Sequence, residues 1–196
     1  DVGVLLTFNT EKGENVCVKC AISYTDEKGA KLNFDTECAH LNFDEIRKNA
    51  DNVWENATNC ITVEGDDETD KTLFYTCLYH TLLDPRITAD CDGRFRTAQG
   101  NIKKADYTHR TMFSGWDVYR SEFPLLTLIA PEMVNDEINS LLNIAKENNT
   151  SLPRWELMGI DSKCMVGDPA LLVLADAYVK GIRNYDTNLA YDICYA

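Results

Sequence analysis

The chain has 196 residues, 44% of them hydrophobic and 26% charged, with only ten Gly and five Pro, which suits a packed globular core and excludes a disordered or fibrous polypeptide. Lys and Arg total 19 against 32 Asp and Glu, a net charge of −13, so the surface repels phosphate and nucleic acid is excluded as a partner. The longest apolar run, Leu125–Ala130, falls far short of the ~20 residues of a membrane-crossing helix, so no membrane span is expected.

Val2, Val4, Leu6 and Phe8 alternate with other residues, Glu11-Lys12-Gly13-Glu14 reads as a turn, and Val16, Val18, Cys20, Ile22 and Tyr24 alternate again. That pattern predicts a β-hairpin. Two strands cannot bury an apolar face alone, so the hairpin must pack on something, either the rest of a sheet or the helices that follow. The chain opens at Asp1 without an initiator Met, and it is read as a piece of a longer polypeptide.

Near residue 40 a β-part gives way to an α-part. Asn42 with Glu45 three residues on has the form of a capping box, and Phe43, Ile46, Ala50, Val53, Trp54 and Ala57 recur at helical spacing. Acidic Glu64–Asp70 forms a loop and an N-terminal turn, followed by a helix through Leu73, Phe74, Cys77 and Leu78 that Asp84-Pro85 stops. Residues 86–111 are polar and irregular, and a loop of that length more often serves function. Trp116–Ile129 reads as a buried helix that Pro124 kinks or begins anew and Pro131 ends. Helices through Val134–Ala145 and Leu171–Ile182 follow, the second with Asp168 as cap and Pro169 at its first position, and Asp186 caps the last. The expected fold is mainly α with an N-terminal β-hairpin, a helical bundle or α/α barrel beside a separate β-domain.

Eight cysteines, at 17, 20, 38, 60, 77, 91, 164 and 194, form a high and even count that permits disulfides. Cys17-x-x-Cys20 lacks a second pair to complete a zinc site, so core or disulfide cysteine is the better reading. Asn56, Asn148 and Asn149 each open an N-glycosylation tripeptide. With the cysteines they point to an extracellular or secretory compartment.

The dinucleotide, P-loop, zincin and hydrolase-elbow signatures are all missing. What the loops offer is carboxylates, indoles and guanidinium groups, a set that suits carbohydrate: charged groups bind vicinal hydroxyls in pairs and indoles stack on sugar faces. It is also the set found on any acidic surface. Asp90-Cys91-Asp92-Gly93 has the look of a calcium loop, but the positions that should supply the first and last ligands are Thr88 and Gln99, so it is read as a turn with two solvated aspartates. Trp116, Asp117 and Arg120 lie at the mouth of a buried helix, with Asp117 and Arg120 on one side; the alternative is a surface ion pair beside a core indole. Arg154 with Trp155, and Asp161 after them, form a second such loop. The histidines, His40, His80 and His109, show no metal spacing, and no metal ligands are assigned; His80, on a helix, is expected in the core.

Taken in order, Phe74-Tyr75-Thr76-Cys77-Leu78-Tyr79-His80, Asp90-Cys91-Asp92-Gly93-Arg94, Phe113-Ser114-Gly115-Trp116-Asp117-Val118-Tyr119-Arg120, Pro124-Leu125-Leu126, Leu152-Pro153-Arg154-Trp155, Cys164-Met165-Val166-Gly167 and Ala175-Asp176-Ala177-Tyr178-Val179-Lys180-Gly181 resemble glycoside hydrolase family 92. The resemblance implies a calcium-dependent, exo-acting α-mannosidase that inverts the anomeric centre, built from an N-terminal β-sandwich and an (α/α)6 barrel. Residues 1–40 would then end the sandwich, 41–70 form a linker helix and acidic loop, and 71–196 begin the barrel. It implies Trp116, Asp117 and Arg120 as mannose-binding residues, with the loop acids and bases Arg154 and Asp161 beside them. The general acid and base would lie beyond Ala196, calcium ligands are not identified in this stretch, and the partners would be mannose-containing glycans and the remainder of the chain. The sequence departs from the family at Gly159-Ile160-Asp161-Ser162, where G-N-E-T is usual. Two other readings stand beside the enzyme: an inactive relative serving as a glycan-binding or structural module, and an (α/α)6 glycosidase of different specificity.

Overall fold

A computed structural model describes residues 3–149 and 151–195. Among the described residues eight helices run in chain order, α1 (Glu27–Glu37), α2 (Phe43–Thr58), α3 (Glu68–Thr81), α4 (Gly115–Val118), α5 (Glu122–Ile129), α6 (Pro131–Asn148), α7 (Pro169–Val179) and α8 (Thr187–Tyr195). Between them lie short strands: β1 (Arg86–Ile87) pairs with β4 (Arg110–Thr111), β2 (Arg94–Arg96) with β3 (Ile102–Lys104), and β5 (Phe113–Ser114), β6 (Trp155–Leu157) and β7 (Ile160–Asp161) form a three-stranded antiparallel sheet.

The helix ends follow the chemistry of their caps. Asn42 and Glu45 form the expected capping box on α2, at 3.0 and 2.7 Å. Asp67 accepts from the Thr69 N–H at 2.7 Å to start α3, and Asp186 accepts from the Leu189 N–H at 2.9 Å at the start of α8. Pro131 and Pro169 occupy the first positions of α6 and α7, where a missing N–H costs nothing. Pro124 falls in the first turn of α5, so the expected single helix from Trp116 is two, separated at residues 119–121.

The core sits between α5, α6 and α7, with the Phe113 and Phe123 rings edge to face at 5.6 Å and Leu126, Val134, Ile138 and Leu141 without any exposed area. Burial of such side chains contributes about 1.5–3 kcal/mol each.

Three expectations are corrected. Residues 3–24 contain no strand; the turn forms, with Glu14 N–H donating to the Glu11 carbonyl at 3.1 Å and Gly13 at φ +92°, but its arms form no ladder. Val4, Leu5 and Ile22 stay 85%, 92% and 70% exposed, so the alternation marks an extended segment with no apolar partner among the described residues. Val2 lies outside the described residues. Helical structure begins at Glu27 rather than near 40, because Asp26 caps α1 through the Gly29 N–H at 2.7 Å. Residues 86–111 carry four strands of two or three residues, too short to show a period.

The cysteines also differ from expectation. All eight are free thiols and six are exposed, so none pairs, and only Cys194, half-buried, packs against the core. No helix is long and apolar enough to cross a membrane among the described residues.

Candidate functional site

The sheet β5–β6–β7 positions two loops side by side. Ser114 pairs with Trp155 across β5 and β6, and the Gly115 N–H donates to the Arg154 carbonyl at 3.1 Å. The approach is close enough that a Cβ on Gly115 would meet the Arg154 carbonyl at 2.7 Å, the Phe113 ring at 2.6 Å and Pro169 at 2.5 Å, so only glycine fits. One arm of the site is therefore Ser114–Arg120 and the other Arg154–Asp161.

On the first arm Trp116 is 40% exposed and is no core residue. The Arg120 guanidinium lies 4.8 Å from its ring centre and 5.8 Å from that of Tyr119, so it stacks on aromatic faces. Asp117 accepts from the Ser114 hydroxyl at 2.5 Å. The alternative reading, a surface Asp117–Arg120 ion pair, is not made: each group has another partner, and both remain exposed.

On the second arm Arg154 is exposed and Asp161 is half-buried. A single Asp161 oxygen accepts from the backbone N–H groups of Arg154, Trp155 and Lys163 at 3.3, 3.2 and 3.0 Å. Asp161 thus orders its own loop, and at most its other oxygen is left for a ligand. The pairing sets the segment carrying Trp116, Asp117 and Arg120 and the segment carrying Arg154 and Asp161 at one end of one small sheet. Glu122, just beyond Arg120, has its carboxyl pushed up to about 7 by burial and then by Asp84.

Beneath this end lie acids that sequence reading passed over. Glu156 and Glu137 are fully buried. Glu156 is surrounded by donors, whereas neither Glu137 oxygen has a hydrogen-bond partner among the described residues. Burial first, and then Glu156, hold the Glu137 carboxyl well above the usual range, so the fold favours its neutral form. Burial also raises Glu156, while bonds from Gly159, Thr111, Phe113 and Met112 oppose the shift. The signal for Glu156 was its place in Trp155-Glu156-Leu157, where a period of two turns the acid inward between outward-facing apolar neighbours.

The other candidates are placed elsewhere. Asp90 is 4% exposed and accepts from the Thr25 hydroxyl and from Asn33 Nδ2, the latter at 2.9 Å. The turn therefore does not hold two solvated aspartates: Asp90 ties the N-terminal segment to β2, and Asp92 pairs with Arg94 at 2.8 Å. His80 is exposed on α3, and the buried histidine is His109, stacked on Phe95 at 3.9 Å. Asn56 and Asn149 are exposed; Asn148 uses its amide, with Gln99 donating to Oδ1 and Nδ2 donating to the Gly159 carbonyl at 3.3 Å. Thr150, shared by two of the tripeptides, lies outside the described residues. No group of three or more His, Cys, Asp or Glu that could hold a metal ion occurs among the described residues.

Residues 29–196 match the model of the glycosyl hydrolase family 92 catalytic domain. Among solved structures, a family GH92 alpha-mannosidase from Bacteroides thetaiotaomicron aligns at 38% identity and a TM-score of 0.81, over 87% of this chain and 23% of that one. A structure of that enzyme in complex with mannoimidazole aligns with the same identity and TM-score, over 87% of this chain and 22% of that one. A family GH92 inverting mannosidase from the same organism aligns at 29% identity and a TM-score of 0.75, over 87% of this chain and 23% of that one. The chain thus spans less than a quarter of the length of these relatives. Comparison with curated proteins returns no match.

Proposed function

The chain belongs to glycosyl hydrolase family 92, and from that premise we propose that the protein of which it forms part is an α-mannosidase removing terminal α-linked mannose from glycans by inverting, calcium-assisted hydrolysis. The observation that carries this reading is the match to the family and to its solved α-mannosidases, beside which the pairing of Ser114 with Trp155 sets the segment of Trp116, Asp117 and Arg120 next to that of Arg154 and Asp161. In it the exposed indole gives a face for the pyranose ring, and Asp117 accepts from sugar hydroxyls. Arg120 and Arg154 donate to hydroxyl oxygens, and Asp161 holds the second arm in place. Residues 71–196 are read as the first part of an (α/α)6 barrel.

Inversion requires a protonated carboxyl at the leaving oxygen and a carboxylate that activates water, ~6.5–9.5 Å apart. Glu137 and Glu156 are sealed from solvent and cannot reach a glycosidic oxygen. We therefore assign the acid and base to the remainder of the chain. Calcium is assigned there as well, since no group of three or more His, Cys, Asp or Glu that could hold a metal ion occurs among the described residues. The part played by the present residues is to bind and orient the sugar.

The direct test is hydrolysis of a chromogenic α-mannoside by the full-length protein, with and without a calcium chelator. Turnover with inversion, lost on chelation, is expected; no turnover in either condition favours the inactive, glycan-binding relative. We also place the protein in an extracellular or secretory compartment, on the glycosylation tripeptides alone. A mass shift after enzymatic deglycosylation, at exposed Asn56 or Asn149 rather than Asn148, is the expected result.

A further inference from the structure

Glu156 holds both arms of the site at once. Its Oε1 accepts from the Thr111 hydroxyl at 2.8 Å and the Gly159 N–H at 2.6 Å, and its Oε2 accepts from the Met112 N–H at 3.0 Å. The Thr111 hydroxyl oxygen in turn accepts from the Met158 N–H at 2.7 Å. Met112 and Met158 stand at φ +77° and +55°, left-handed backbone that costs a residue with a side chain ~1–2 kcal/mol. Met112 leads straight into β5 and so into Gly115-Trp116-Asp117, whereas Met158-Gly159 is the turn joining β6 to β7, between Arg154 and Asp161.

We propose that Glu156 is a positioning residue for the sugar site: its buried carboxylate gathers the amides of two strained turns and thereby fixes the spacing between the Trp116–Asp117 arm and the Arg154–Asp161 arm. It never touches the sugar. In this arrangement Met112 keeps its left-handed conformation because the carboxylate collects its amide, and the strand after it leaves in the direction that brings Trp116 beside Arg154. Gln at 156 would turn an amide donor toward one of these N–H groups and push the two arms apart. Displacements of about 1 Å can cost up to ~100-fold in function.

This inference rests on the reading that the two arms grip a mannose, so the test is built to separate the two. Mannoimidazole affinity is measured by calorimetry on the full-length protein. D117N reports on the sugar-binding reading, and E156Q on the positioning. Both are expected to weaken binding, E156Q by about tenfold or more. In the E156Q background, M112G is expected to recover at least a third of the lost affinity, because glycine adopts the left-handed turn without the carboxylate; a merely structural role for Glu156 would give no such recovery. If D117N weakens binding and a folded E156Q binds within twofold of the parent, the positioning role is overturned. If D117N itself changes nothing, the sugar-binding reading has failed instead. Should E156Q not fold, T111V decides: it removes the hydroxyl that links Glu156 to Met158, and unchanged affinity overturns the proposal.

Discussion

The two ends of the molecule use the same sequence signals and reach opposite degrees of burial. Helix α2 has a capping box and an apolar stripe, yet none of its residues is buried, and Phe43 and Val53 stand 67% and 65% exposed. Helix α6 has a comparable stripe and buries nine residues, among them Val134, Ile138 and Leu141 at 0% exposure. Periodicity declares that a helix has a face to bury, whereas burial needs a neighbour. For α6 that neighbour is α5 and α7, close in sequence; α2 meets mainly α3, itself with a single buried residue, Leu78.

The contrast can be broken most sharply in the packed end. Phe123→Ala removes a ring held at 2% exposure against Phe113 and should cost about 3–5 kcal/mol in urea unfolding. A loss below about 1 kcal/mol would mean that the core is not close-packed.

Next in size is the acid limb of stability. His109 Nδ1 and Thr88 Oγ1 share a hydrogen bond at 3.0 Å, and Nε2 has no partner among the described residues in this buried site. Burial lowers this imidazole to about 4. Its folded value lies below the unfolded one, so the stability it contributes is complete above pH ~6.5 and is lost as pH falls through about 4. Over that window the loss is roughly 3 kcal/mol. His109→Gln should flatten it, as read by urea midpoints at a series of pH values.

Smaller effects belong to the open end. Asn42→Ala, which removes the capping box, should cost about 1 kcal/mol and show as fraying of α2 in amide exchange. Leu73→Ala, at 61% exposure on α3, should change stability by less than about 0.5 kcal/mol in the 196-residue chain. In the full-length protein the same change should cost about 2 kcal/mol or more, if the remainder of the chain covers that face. Equal, small losses in both would show that α3 stays uncovered.

Much of the helical framework was legible because proline, aspartate and asparagine act locally: Asn42, Pro131, Pro169 and Asp186 each lie where their chemistry says. Helix α1 was not, because it docks through polar groups. Its buried residues are Gly29 and Asn33, and Asn33 Nδ2 donates to the Ile22 carbonyl and to Asp90, both at 2.9 Å, which leaves no apolar stripe to read. The two loops of the candidate site stood out as motifs, whereas their juxtaposition comes from pairings some forty residues apart in the chain. Glu156 was missed for the same reason, since its donors Thr111 and Met112 are remote in sequence.

Gly115 couples things that function would otherwise keep apart. Its missing side chain lets the turn before Trp116 press on both the Arg154 carbonyl and the first proline of α7. A methyl group placed there would act as a wedge between the turn and the first proline of α7.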